Sequence, residues 1–159
     1  MSSTPYRLAP DSPALPQVLA VMQEAFASME GRIDPPSSLH RLTLADLVSQ
    51  AETKEIWCIG APPQACVILT ASDDAIYIGK LAVAVSRRGT GLGRRLVDLA
   101  AERARALGLS ALELQVRVEL VENHVAFARM GFATTERTAH PGYDRATSLT
   151  MRRPVSPRI

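Results

Sequence analysis

The residues best placed to do chemistry lie together in Arg87-Arg88-Gly89-Thr90-Gly91-Leu92-Gly93-Arg94-Arg95. Three glycines alternate with other residues, and arginines flank them on both sides. An apolar run, Leu81-Ala82-Val83-Ala84-Val85, precedes the turn, and an amphipathic helical pattern follows it. Unpaired backbone N–H groups at a helix start attract anions, aided by the helix dipole. Glycine lets such a backbone come close to a ligand, and arginine adds charge and forked donors. The segment is suited to hold a phosphorylated ligand.

Other reactive types are sparse. Cys58 and Cys66 fall in two strand-like runs separated by Gly60-Ala61-Pro62-Pro63, where a hairpin could bring them near each other. Free thiols of small core residues are expected. Two cysteines and scattered His40, His124 and His140 give no metal-ligand spacing, so no metal is expected. His40 and His124 read as surface or helix-face residues. Glu113, Glu119 and Glu122 are candidate proton acceptors, although carboxylates are usually solvated. His140 and Tyr143 share the loop His140-Pro141-Gly142-Tyr143, which a simple turn also explains.

The composition narrows the class. A chain of 159 residues, 47% hydrophobic and 21% charged, suits one folded domain with a real core. Aromatics at 4% and a net charge of +2 argue against nucleic acid as a partner. No apolar run has the length of a membrane span. The start Met1-Ser2-Ser3-Thr4-Pro5 lacks a basic-then-apolar leader, so a cytoplasmic location is expected.

Periodicity supplies the elements that must position these residues. Tyr6-Arg7-Leu8 reads as a strand. Asp11 or Ser12 caps a helix with Leu15, Val18, Leu19, Met22 and Phe26 on one face, ended by Gly31. A second helix runs from Leu39 or Thr43 to Ala51. Residues 55–59 and 64–69 form a hairpin, and 75–85 the longest strand. Residues 90–107 form a helix with Leu92, Leu96, Leu99, Ala100 and Leu107 on its buried stripe. Strand periodicity follows at 111–118, then a helix over 121–130 and strands at 132–138 and 146–152. The order is β-α-α-β-β-β-α-β-α-β-β, giving a mixed, mostly antiparallel twisted α/β sheet with a central parallel pair formed by strands 75–85 and 111–118. One domain spans 1–153, with 154–159 a disordered tail. In the long strand the large side chains change from even positions (Ile76, Ile78) to odd ones (Leu81, Val83, Val85) near Gly79-Lys80. A β-bulge shifts phase in this way, and a strand buried on both faces would show no phase at all.

This pattern resembles the GNAT superfamily of acetyl-coenzyme A-dependent N-acetyltransferases. The resemblance rests on Gly79-Lys80-Leu81-Ala82-Val83, on Arg88-x-x-Gly91-x-Gly93, and on Glu122-Asn123-His124-Val125-Ala126-Phe127 leading into Met130-Gly131-Phe132. It implies that the backbone of Leu81, Ala82 and Val83 pairs with the pantetheine arm. It also implies that the amides of Arg88, Gly89, Thr90, Gly91, Leu92, Gly93 and Arg94 hold the pyrophosphate, and that Asn123 and Phe127 face the cofactor. The implied reaction is acetyl transfer to a small-molecule or peptide amine in a ternary complex, with His140 and Tyr143 in the acceptor pocket and a homodimer possible. The catalytic residues stay unassigned. Many relatives carry Tyr where this chain has Phe127, and that Tyr is thought to protonate the leaving thiolate. Phe127 has no proton to give, which keeps a non-catalytic acyl-coenzyme A binding module open as an alternative.

Two other phosphate-binding classes fail on spacing. Gly89, Gly91 and Gly93 put Arg94 where a dinucleotide fingerprint needs its last glycine. No Gly-x-x-x-x-Gly-Lys-Ser/Thr occurs.

Overall fold

The computed structural model describes residues 3–156, apart from the side chain of His40. The expectations for the chain start at Met1-Ser2, for the His40 side chain and for a disordered end at 157–159 lie outside the described residues.

The first strand, β1, covers Tyr6–Leu8, and the first helix, α1, covers Leu15–Ala27. Ala14 rather than Asp11 or Ser12 occupies the cap, and the Ser12 hydroxyl accepts the Ala14 N–H at 3.2 Å. Pro16 stands in the first turn, where a missing N–H costs nothing. A 3₁₀ turn at Ser38–Arg41 precedes α2, Leu44–Thr53. Thr43 and Asp46 form a reciprocal capping box there, which sets the helix start later than Leu39.

Strands β2 (Glu55–Ile59), β3 (Ala65–Ala71) and β4 (Ala75–Val83) make an antiparallel meander. Cys58 and Cys66 are direct cross-strand partners, both buried and both free thiols. Helix α3 covers Leu92–Ala106, β5 Ala111–Arg117, α4 Val121–Arg129, β6 Ala133–Thr138 and β7 Ser148–Pro154. The seven-stranded sheet has the order β1-β2-β3-β4-β5-β7-β6, and β4-β5 is its parallel pair. The element order matches the sequence reading.

Each face of the sheet carries its own core. Ile76, Ile78, Leu112 and Leu114 pack under Leu96, Val97 and Ala100 of α3. Ile56, Cys58, Cys66 and Ala82 pack under Val18 and Met22 of α1 and Leu47 of α2. Several limits differ from expectation by a few residues; α1 ends at Ala27, before Gly31. The long strand ends at Val83, because Val85–Arg87 turns as 3₁₀. Leu107 is the α3 C-cap and is exposed rather than part of the buried stripe. Pro154 closes β7 and Val155 is buried, its N–H bonded to Ser110 O, so the ordered chain runs past residue 153.

An ion pair fixes α3 to the meander. Arg103 donates to both oxygens of Glu55, at 2.8 and 2.9 Å, and the Trp57 indole N–H donates to the same carboxylate at 2.8 Å. Burial pushes the Glu55 carboxyl up, but the bonds from Arg103 and Trp57 outweigh it and leave it below the ordinary value. A carboxyl held low in the fold stabilises above its unfolded pKa of about 4.3 and loses that contribution as pH falls through the folded value. Glu55→Gln is therefore expected to cost about 2 kcal/mol at pH 7, with the gap to wild type narrowing below about pH 4. Urea denaturation at several pH values measures it, and a pH-independent gap would contradict the assignment.

Candidate active site

The site begins with an extra residue in β4. Cys66 pairs with Ala82, and Ile68 with Gly79, so Lys80 and Leu81 together stand opposite Val67. Lys80 adopts φ +51°, the left-handed region that non-glycine residues seldom enter. The phase change near Gly79-Lys80 is thus a bulge. Such a bulge bends the strand and increases its twist.

The bend opens the sheet. β4 and β5 pair at Ala75↔Ala111, Ile76↔Leu112 and Tyr77↔Glu113, and no further. Beyond Tyr77 the strands diverge into a cleft of about 640 Å³. Backbone alternation determines what the cleft walls offer. Ala82 pairs with Cys66, and the Ala84 N–H bonds Gln64 O on the same side, so the intervening Leu81 and Val83 turn their N–H and C=O groups toward the cleft. Of the three backbone positions expected to hold a ligand arm, Leu81 and Val83 are available, and Ala82 is committed to β3.

The opposite wall shows the same logic. Near the apex Tyr77 lines the cleft beside the Gln115 backbone N–H. Burial, with the nearby Glu113 carboxylate, raises the Tyr77 hydroxyl pKa against that N–H. Further out, His124 Nε2 meets Arg117 O at 2.8 Å. His124 therefore supports the wall rather than sitting idle on a helix face.

The glycine turn closes one end. Arg88 and Gly93 line the cleft, and Gly89, Thr90, Gly91, Leu92 and Arg94 form the turn and first helical turn that include and adjoin them. Gly89 and Gly91 have φ of +78° and +87°, which explains glycine at both. The Thr90 hydroxyl donates to Arg87 O at 2.5 Å and tightens the turn. The α3 backbone ladder starts with Arg95 N–H to Gly91 O. The amides before it belong to the open donors of a helix start. Helix α1 secures this turn from the other side: Glu24 accepts the Val85 N–H at 3.1 Å, and Arg88 reaches Ala25 O and the Ser28 hydroxyl at 3.4 Å.

Asn123 and Phe127 of α4 line the cleft, and Phe127 meets Phe132 edge-on at 5.7 Å. His140 also lines it. Tyr143 is not among the lining residues. Its hydroxyl donates to Asp34 at 2.5 Å and its ring carries the Arg145 guanidinium, so it ties the β6–β7 loop to the α1–α2 loop. The hydrogen bond to Asp34 raises the Tyr143 pKa. The candidate carboxylates are all engaged: Glu113 with Arg152 at 3.1 Å, Glu119 with the Asp34 N–H at 3.0 Å, and Glu122 with Arg32 at 2.5 Å. Sequence reasoning missed Tyr77, Gln115 and Arg117. Arg117 spans the α1–α2 loop by donating to Pro35 O at 2.7 Å. Only strand phase hinted at these residues, since Tyr77 in β4 and Gln115 and Arg117 in β5 alternate with side chains of the α3 core.

A cleft between the separated strands of a parallel pair, with a glycine-turn helix start at its end, can hold an extended arm and its phosphates. The acetyltransferase (GNAT) family model matches residues 23–132. The chain belongs to the GNAT acetyltransferase family. Solved GNAT structures share its fold. The ribosomal-protein-S18-alanine N-acetyltransferase of Escherichia coli superposes with a TM-score of 0.71 at 20% identity, over 96% of this chain and 95% of its own. The PaiA N-acetyltransferase of Thermoplasma acidophilum, in complex with coenzyme A, gives 0.81 at 12% identity over 97% and 99%. A GNAT acetyltransferase of Elizabethkingia anophelis with acetyl-coenzyme A bound gives 0.68 at 15% over 95% and 97%. No curated protein sequence matches this chain. No helix among the described residues is long and apolar enough to cross a membrane.

The bulge in this GNAT protein makes a direct stability prediction. Lys80→Gly, which accepts φ +51° freely, is expected to stay within about 1 kcal/mol of wild type. Lys80→Val, β-branched, is expected to lose about 2 kcal/mol. Urea denaturation of both variants measures the difference, and equal stabilities would contradict a strained bulge.

Proposed function

We propose that this GNAT protein transfers an acetyl group from acetyl-coenzyme A to an amine in a ternary complex. The observation that carries the reading is the cleft wall of Leu81 and Val83, whose backbone groups need partners and face an α3 start rich in free amides. An extended pantetheine arm would pair with Leu81 and Val83 as an added strand. The pyrophosphate would lie on the amides between Arg88 and Arg94, and Asn123 and Phe127 would close over the arm.

The chemistry follows from this placement. A neutral amine attacks the thioester carbonyl, and the developing oxyanion needs a donor in a desolvated site. A cleft-facing N–H of β4 near Val83 is that donor. The carbon–sulfur bond then breaks, and the thiolate leaves. A thiol pKa of about 8.5 makes the thiolate a tolerable leaving group near neutral pH, so Phe127 contributes packing and water supplies the proton. The acceptor enters from the opposite side of the sheet, past α1, the α1–α2 loop and the β6–β7 loop. One structural neighbour is named for acetylating an alanine of a ribosomal protein, so peptide amines join small amines as acceptors to test. Phe127 also favours the alternative, an acyl-coenzyme A binding module. Thiol release over a panel of amines and peptides decides between them, because a binding module releases none.

Two variants test the arrangement. At Gly91 the space for a Cβ is open but φ is +87°, so Gly91→Val must distort the turn. Acetyl-coenzyme A affinity is expected to fall at least tenfold by titration calorimetry, with the fold retained, and an unchanged Kd in a folded variant would contradict the placement. Phe127→Tyr is expected to change kcat by less than tenfold, under about 1.4 kcal/mol of barrier. A hundredfold gain would show a reaction limited by the missing acid.

A further inference from the structure

His140 is the one imidazole lining the cleft among the described residues, and it is held at two points. Its backbone N–H donates to Thr147 Oγ1 at 2.9 Å, and its Nδ1 meets the same oxygen. Thr147 is fully buried, and its hydroxyl donates to Thr138 O at 3.4 Å. A hydroxyl has one proton to give. When that proton is directed at Thr138, Oγ1 accepts from the ring, Nδ1 carries the ring proton and Nε2 keeps a lone pair. No hydrogen bond within the described residues engages Nε2.

The charged neighbours leave this lone pair free. From the α1–α2 loop, Arg32 is paired with Glu122 of α4, and Asp34 with Tyr143 and Arg145 of His140's own loop. From β5, Arg117 is committed to Pro35 O, and Glu119 just beyond it to the Asp34 N–H. From β4, burial and Glu113 raise the Tyr77 pKa, while Lys80 is held below its ordinary pKa by burial and Lys54. Among the described residues the carboxylate oxygen buried without a partner is Glu119 Oε1, and Glu119 does not line the cleft.

We propose that His140 is the catalytic base, accepting the acceptor's proton at Nε2 directly or through one water, and that Thr147 is the residue that positions it. The assignment rests on the acyl-transfer reading above. The ammonium gives one proton to Nε2, and the resulting amine attacks the thioester carbonyl carbon. The carbon–nitrogen bond forms and the carbon–sulfur bond breaks; the nitrogen's second proton passes through water to the departing thiolate, so that a neutral amide and coenzyme A thiol result. The imidazolium then returns its proton to solvent. General-base catalysis of this kind contributes on the order of a hundredfold or more.

The test combines kinetics with imidazole ¹⁵N NMR on the full chain. His140→Gln is expected to lower kcat about a hundredfold at pH 7 while the Kd for acetyl-coenzyme A stays within threefold. The acid limb of the kcat/KM profile should shrink to the amine's own ionisation. Thr147→Val should lower kcat and shift the ring proton from Nδ1, and Thr147→Ser should restore both. The wild-type spectrum should show Nδ1–H. A ring proton on Nε2, or a His140→Gln variant retaining kcat within threefold, overturns the assignment while acyl transfer stands. A wild-type protein that binds acetyl-coenzyme A but acetylates no amine overturns the acyl-transfer reading and this assignment with it.

Discussion

One extra residue in β4 shapes the rest of the molecule. The bulge at Lys80-Leu81 bends the strand after it has paired with β5 at only three positions. Without it the parallel ladder would continue, and the groups of Leu81 and Val83 would be consumed inside the sheet. With it they line a cleft and must find water or a ligand. A sheet that gives up part of its ladder costs stability.

The surrounding elements hold that opening in place. Arg103 and Glu55 fix α3 against β2, which fixes where its amides point. Glu24 and Arg88 join α1 to the link between β4 and α3. Away from the glycine turn, Arg117, Glu119, Tyr143 and Arg145 converge on residues 34–36 and draw three loops into one wall. Each of these pairs is modest singly, being partly exposed. Their common effect is geometric, since they hold the two ends of the cleft at a set separation.

Much of this was legible in the sequence, for physical reasons that also mark the limit. Hydrophobic phase located the core strands and helices, and the phase slip at Gly79-Lys80, which a bulge or a strand buried on both faces would explain, proves to be the bulge, because side-chain direction alternates along a strand. The glycine turn was legible as a loop for close ligand approach, and Gly89 and Gly91 hold it at positive φ. What sequence could not show was pairing between distant polar residues. Tyr143 was expected to face an acceptor, but Asp34, 109 residues away, captures its hydroxyl. The tautomer of His140 depends on Thr147 across a hairpin. Ala82 was expected to face the ligand with its neighbours, and its commitment to Cys66 follows only from the strand register.

The central claim is that the cleft-facing backbone of β4 binds the acyl carrier. Residue-resolved hydrogen exchange with and without acetyl-coenzyme A tests it most directly. Ala82, bonded into the sheet, should be protected in both states. Leu81 and Val83, together with the amides of the α3 start, should exchange freely alone and become protected with ligand. Protection that appears elsewhere, with Leu81 and Val83 unchanged at saturating acetyl-coenzyme A, would contradict the account.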